Sequence, residues 1–491
     1  MKVQSIIFGL CLLTLNTSVF ASESTSKELR RLHKCYGLFV REKISSNDVL
    51  WKQVQAGQKT GTDACMEIFD KAQLDKNGQI KKGPDGQYDY EGMQVLNTFM
   101  RFLKSQLDVP DFATPIGTGV VKYTRDITDS NEATYHLLYS LFNSEEKYSN
   151  IVTRDYSLKS IRYSSKAERK RSVASGATTL LNFTQGFYKN VLDANGVTKT
   201  IPDDAKGLND LPLDLPETGI LVGLERDERD NSLQIDPFIS FKFTSSNINQ
   251  HHGGGIMGTQ SYLHANAGKD GNTDGAGLVH RRWGKHVMAD LLCRDLPALR
   301  SSDVVSEVNI KSNISFRQGI SCMGCHSSMD PLAGVTRNLR QGFTHNSGLI
   351  SPRVSYWGYR PADMEDAPYP SATRDANFYR RPASGRLYYR SYDGKLVKYN
   401  VVGMNQLGEA MASTNDLYVC AAKRYYKFLT GINVSLADEG DINTPAFSDA
   451  EFKYRQRIIK LGLELKKHQS LRTMIKSIIS TETFISPDQG V

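Results

Sequence analysis

Apolar positions recurring at helical spacing mark several elements before any chemistry is visible. Leu29, Leu32, Tyr36, Phe39 and Val40 follow Thr25 and Glu28, a T-x-x-E capping box, and predict a first helix. A second is expected around "DACMEIFDKA", where Cys65, Ile68, Phe69 and Ala72 share one face. Trp283, Met288, Leu291 and Leu292 keep a near-helical period up to Cys293, before Pro297. Near the C-terminus Leu471, Met474, Ile475, Ile478 and Ile479 form another stripe, so Met474 reads as core rather than as a metal ligand. Ser448 and Glu451 make a further capping box, with Phe447 and Phe452 at staple positions. The clearest strand pattern is "RLYYRSYDGKLVKYNV", a hairpin with Asp393-Gly394 at its turn. The fold class expected is mainly α, a multi-domain helical protein with a small β-hairpin in its C-terminal module.

Polar and Pro/Gly-rich breaks suggest the organisation. "GLNDLPLDLPETG" reads as a linker, and "KAERKR" near Lys166 as a solvated face or loop. "QLDKNGQIKKGPDG" tempts a calcium-loop reading, but aligning Gly78 with the loop's glycine puts Gln73 and Pro84 where Asp and Glu are needed. A plain turn is expected there. The division expected is 1–21 as an export signal, 22–120 as an N-terminal helical domain and 121–215 as a middle helical and loop region. A haem-bearing domain, 216–375, and a C-terminal hairpin and helical module, 376–491, complete it.

Composition adds compartment and excludes some partners. At 491 residues with 39% hydrophobic and 23% charged content, the chain is an ordinary soluble protein of about three domains. Its net charge of +8 is spread out, and aromatics do not interleave with basic clusters, so nucleic acid is not an expected partner. Lys2, the apolar run Ile6 to Leu15 and "SVFA" read as a cleavable export signal cut after Ala21. The run is too short for the ~18–20 residues a membrane span needs, and Leu10 is too bulky to precede a lipidated Cys11. The mature chain is thus expected to be periplasmic or secreted, with no transmembrane segment. Export leaves Cys35, Cys65, Cys293, Cys322, Cys325 and Cys420, an even set in an oxidising compartment.

The chemistry sits in "GISCMGCHSSMDPLAG", Gly319 to Gly334. With 7 Cys and 10 His in the chain, chance would yield a C-x-x-C-H on the order of 0.002 times, and the pattern is the signature of c-type haem attachment. Structural zinc wants a second C-x-x-C, and none exists. A thioredoxin-like dithiol wants a βαβ setting, which the flank "NISFRQGI" does not provide. The haem reading uses all three residues. Cys322 and Cys325 would form thioethers to the two vinyl groups and His326 would be the proximal iron ligand. A single motif implies one covalently attached haem c per chain, in a cytochrome c-like segment. Asp330 or the carbonyls around Pro331 are the near candidates to orient His326 through its other ring nitrogen.

These residues resemble a family. "SCMGCHSSMDPLAG" is similar to the C-x-x-C-H-x-x-[MI]-D-P-L-G segment of planctomycete-type exported cytochrome c proteins, large multi-domain proteins whose reactions are mostly unassigned. "GGGIMGTQSYL" followed by "LVHRRWGKHVMADLLCRDLP" resembles their Gly-rich element and Arg-Gly-x-Trp helix, although the Ser-Pro that precedes that helix is missing and Thr259 stands where relatives often carry His or Met. Downstream, "SGRLYYRSYDGKLVKYNVVGMNQLGEAMASTNDLYVCAAKRYYKFLTG" and "SLRTMIKSIISTETF" resemble their C-terminal module. "NSEEKYSNIVTRDYSL" resembles more faintly an upstream helix and loop. The likeness runs from about Asn143 to the C-terminus and is closest from Gly253 onward.

The resemblance implies a cofactor and a compartment. It also places cysteines like Cys293 and Cys420 in the helix before the haem segment and in the C-terminal module. Outside the haem pair, Cys35, Cys65, Cys293 and Cys420 allow three pairings. Cys35–Cys65 is expected because both lie on apolar faces of neighbouring helices, and Cys293–Cys420 because of the family's matching cysteines. Candidates for the sixth iron ligand are His251, His252, Met257, His280, Met364 and Met404. The Gly-rich "HHGGGIMG" around His252 and Met257 would let a haem plane come close. Electron transfer to a redox partner in the cell envelope is the function expected. A peroxidase- or oxygenase-like enzyme with open iron, and an exported partner-binding protein with a structural haem, are the alternatives.

Overall fold

The computed structural model describes residues 23–107, 131–163, 188–192, 198–202, 220–226, 251–266, 275–337, 339–344, 354–359, 382–442 and 444–486. The export signal, "KAERKR", the proposed linker at 207–219 and Met364 lie outside these residues.

The predicted helices form where the apolar period placed them. Helix α1 spans 23–39 and buries Leu32, Tyr36 and Phe39, with Val40 just beyond it. Three more follow, α2 (Val49–Gln55), α3 (Gly61–Asp70) and α4 (Tyr90–Lys104), and after them α5 (Glu132–Phe142). Phe39, Phe69, Phe99 and Phe142 meet at their centre with ring centroids 4.9–6.0 Å apart, the separation at which edge and offset packing is favourable. Between α3 and α4 the chain turns at Asp75–Gly78, where the Asp75 carboxylate accepts the Asn77 and Gln79 N–H groups at 2.8 and 3.0 Å. That is the plain turn expected in place of a calcium loop.

The C-terminal helices close on the same core. They are α11 (Gly403–Ser413), α12 (Asp416–Thr430), α13 (Asp449–His468), α14 (Leu471–Ile479) and the single turn α15 (Glu482–Ile485). Phe428 of α12 packs on Phe99, and Arg31 Nε donates to the Ile479 carbonyl at 3.0 Å. Asp70 and Arg472 pair at 2.6 Å. One contiguous cluster of buried apolar side chains therefore runs from Leu32 to Phe484. The α14 stripe, Met474 included, lies wholly inside it.

Among the described residues four two-stranded antiparallel ribbons decorate the helices. They pair β1 (Leu158–Tyr163) with β4 (Ile220–Arg226), β2 (Tyr188–Leu192) with β3 (Thr198–Pro202), β5 (Leu339–Thr344) with β6 (Val354–Tyr359), and β7 (Ser384–Arg390) with β8 (Leu396–Val402). The last is the expected hairpin, with Gly394 in its turn at φ +74°. No helix of the described residues is long and apolar enough to cross a membrane.

Three local expectations are corrected. Thr25 sits inside α1, and Glu28 does not cap that helix. Its carboxylate accepts the Gly61 N–H at the start of α3 and pairs with Arg31. The Ser448–Glu451 box forms, but Phe447 lies beneath the Arg455 guanidinium and Phe452 stays 45% exposed, so there is no staple. Of the two expected disulfides, Cys293–Cys420 is present, joining the end of the helix before the C-x-x-C-H motif to α12. Cys35 and Cys65 are neighbouring buried thiols, not a bridge, and Cys65 Sγ donates to the Arg31 carbonyl at 3.6 Å. Both are fully buried, and burial, then the neighbouring Cys65, push the Cys35 thiol well above its usual range. A Cys35 thiol held this far from ionising is a poor starting point for exchange. In denaturant Cys35 and Cys65 should therefore both be alkylatable, and peptide mapping that finds them linked would contradict this.

Candidate functional site

The C-x-x-C-H motif lies on helix α10 (Ile320–Ala333). Its period sorts the residues by face. Met323, Gly324, Ser327, Ser328 and Leu332 are buried, whereas Cys322 is exposed and Cys325, His326, Met329 and Asp330 are half-exposed. Both thiols and the imidazole thus share the open side of one helical turn. Burial, then the nearby Cys322, raise the Cys325 thiol, and Lys285 opposes this.

The buried side of α10 rests on α8 (Gly275–Leu292), the helix predicted through Trp283 and Leu292. The two backbones approach at Gly284, where an added Cβ would lie 3.4 Å from the Met329 carbonyl oxygen. That approach lets Arg281 of α8 reach the motif. Arg281 holds the Asp330 carboxylate at two points, Nε to Oδ1 at 2.7 Å and Nη2 to Oδ2 at 3.0 Å. Asp330 in turn accepts the His326 Nδ1–H at 3.0 Å, one helical turn away. The Phe316 ring stacks on the imidazole with centroids 3.9 Å apart and planes 17° apart. The imidazole is therefore fixed in tautomer by Asp330 and in plane by Phe316, and its Nε2 remains for a ligand.

Of the two orienting groups open from sequence, Asp330 is the one in place. The i, i+4 spacing from His326 made it legible. Arg281 and Phe316 were not foreseen. The first lies 49 residues from Asp330, and nothing in the spacing connects them.

The proposed sixth ligands that lie among the described residues are engaged within the protein itself. His251 Nδ1 accepts the Gly253 N–H at 3.0 Å and its Nε2–H donates to the Gly255 carbonyl at 2.9 Å, which uses both ring nitrogens. His280 is buried with Nδ1 2.9 Å from Thr336 Oγ1. His252 Nε2 is 3.1 Å from the Gln260 side chain. Met257 and Met404 are core residues. The expectation that the glycine run leaves room for a haem plane is corrected. An added Cβ at Gly255 would sit 2.0 Å from the Ile151 carbonyl oxygen, and one at Gly253 2.2 Å from the Asn405 side chain. The glycines, all at positive φ, let this loop dock on its own protein. Its anchor is α6 (Asn150–Thr153) and the residue after it, where Gly255 N–H donates to the Arg154 carbonyl at 2.7 Å.

Beside that loop His136 and His251 stack at 5.4 Å under the same arginine. Burial, then the Arg154 and His251 charges, hold His136 well below the usual histidine range, and burial, then His252, bring His251 to about 3. Both are neutral when folded, so the unfolded chain takes up protons first as pH falls below about 6.5, and stability declines from there toward acid. The unfolding free energy should be flat above pH 7 and should fall by about 2–4 kcal/mol between pH 7 and 5, with denaturation midpoints falling alongside it. Equal midpoints at those two pH values would contradict this.

No family of known proteins, no curated protein and no solved structure matches the chain.

Proposed function

We propose that this chain is an exported monohaem c-type protein, with haem held by Cys322 and Cys325, iron bound through His326 Nε2, and electron transfer to an envelope partner as its role. The observation that carries the reading is the Arg281–Asp330–His326 chain, because a ligating histidine characteristically gives its other ring N–H to a carboxylate. Both thiols of the motif stand on the same open turn, as thioether formation requires. When bound, the haem supplies a reversible one-electron couple. The protein's part is to fix the imidazole and to shape its basicity. The Asp330 charge makes His326 a stronger donor, which favours the oxidised metal, and Arg281 moderates that charge. Asp330→Asn should raise the midpoint potential by some tens of millivolts without releasing the haem. An unchanged potential in redox titration would remove Asp330 from this role.

An open-iron enzyme is favoured by one specific observation, the commitment of His251, Met257, His280 and Met404 to internal packing. The spectrum separates the two readings. A low-spin ferrous protein inert to carbon monoxide fits electron transfer, and rapid carbon monoxide binding fits the enzyme.

A further inference from the structure

Behind α10, a cavity of about 300 Å³ lies where the end of α8 meets α12. The Cys293–Cys420 disulfide builds it, because Arg294 follows the first cysteine directly and Lys423 lies one helical turn beyond the second. Both line the cavity, with Ser435 and Thr444 on the facing segment.

The charges there are unevenly spent. At the rim, Arg300 holds Asp438 at two points, 2.6 and 2.7 Å, and Arg390 is similarly forked on Asp303. These cations are satisfied. Arg294 is only 6% exposed, with Nε 3.1 Å from Asp416 and Nη1 donating to the Leu436 carbonyl at 2.8 Å. Its Nη2 has no hydrogen-bond partner among the described residues. Asp416 also accepts the Tyr392 N–H at 3.0 Å, so it only partly offsets the arginine. Lys423 forms no ion pair among the described residues. Burial, then Arg424, lower its pKa, and Asp295, which also lines the cavity, opposes this. Ser435 Oγ accepts the Ala437 N–H and keeps its own O–H to donate. A buried guanidinium N–H left unmade carries an uncompensated desolvation cost, the greater because the group is charged. A desolvated ammonium beside it adds to a positive potential that an anion would relieve.

We propose that this cavity binds a small oxyanion, a carboxylate or phosphate group, between Arg294 Nη2 and Lys423 Nζ. The two cations present N–H donors to separate oxygens, the Ser435 hydroxyl offers a third donor, and the volume admits a small metabolite but not a polymer. The cavity backs onto α10, where an added Cβ at Gly324 would lie 3.4 Å from Pro297 Cβ in its wall.

The test is the thermal midpoint of the full exported chain titrated with inorganic phosphate or with acetate, at ionic strength matched by sodium chloride. Saturable stabilisation by one of the two anions is expected, and the stronger names the class of ligand. Lys423→Gln should weaken it at least tenfold, while Lys467→Gln, on the exposed face of α13, should leave it unchanged. No stabilisation beyond chloride, or equal binding by Lys423→Gln, would overturn the proposal. Should Lys423→Gln fail to fold, protection of Lys423 from reductive methylation by phosphate or acetate in the unaltered protein decides it. Equal labelling with and without either anion is then the contrary result.

Discussion

Alanine at both Cys322 and Cys325 is expected to leave the exported protein with no covalently held haem. Both cysteines stand on the open side of α10 as thiols, and no disulfide competes for them. Each single substitution should retain one thioether and therefore a haem that resists acid-acetone. The double variant should lose all of it while keeping its helical content, because neither side chain belongs to the core. His326→Ala poses the complementary case. Its thioethers should form, but without the imidazole that would hold the iron the spectrum should turn high-spin. A double alanine variant that still holds haem through acid-acetone would refute the attachment.

The second large effect is expected at the other end of α8. Removing the Cys293–Cys420 bridge as Cys293→Ala plus Cys420→Ala should destabilise the chain by about 4–5 kcal/mol in the loop-entropy account, given the 127-residue separation. Alanine is the proper replacement, because Cys420 is 1% exposed and a serine hydroxyl would be buried beside it. Cys293 sits at φ +52°, a left-handed conformation whose cost alanine and cysteine share, so the substitution adds nothing there. Denaturant midpoints check the figure, and a loss below about 1 kcal/mol would show that packing alone joins α8 to α12. The same double variant should weaken anion binding, because Arg294 and Lys423 are adjacent to the two cysteines.

What was legible in the sequence follows from what is local. Amphipathic stripes such as Leu32–Val40 and Leu471–Ile479 identify their helices because burial of one face is their dominant free energy. The Asp393-Gly394 turn identifies the hairpin because only a few residue types take φ > 0. In the site, Cys322, Cys325, His326 and Asp330 were readable for the same reason, as one helical turn and its successor.

What was missed depends on partners far along the chain. Arg281 and Phe316 reach His326 only through the packing of α8 and the preceding turn on α10. Glu28 looked like a capping residue and is diverted by Arg31 and the Gly61 amide. The glycines at 253–255 looked like room for a cofactor, whereas Ile151 and Asn405 fill that room. Residue type set what these positions could do, and tertiary contacts decided what they did. The Cys35–Cys65 expectation failed in the same way. Proximity was right, but full burial withholds the thiolate chemistry that would close the bond.

The most direct measurement is the intact mass and haem-peptide map of the exported protein, made with a c-type maturation system and extracted with acid-acetone. One haem retained per chain, carried by the peptide containing Cys322, Cys325 and His326, is the result predicted here. A haem-free mass, with both cysteines open to alkylation, would contradict it.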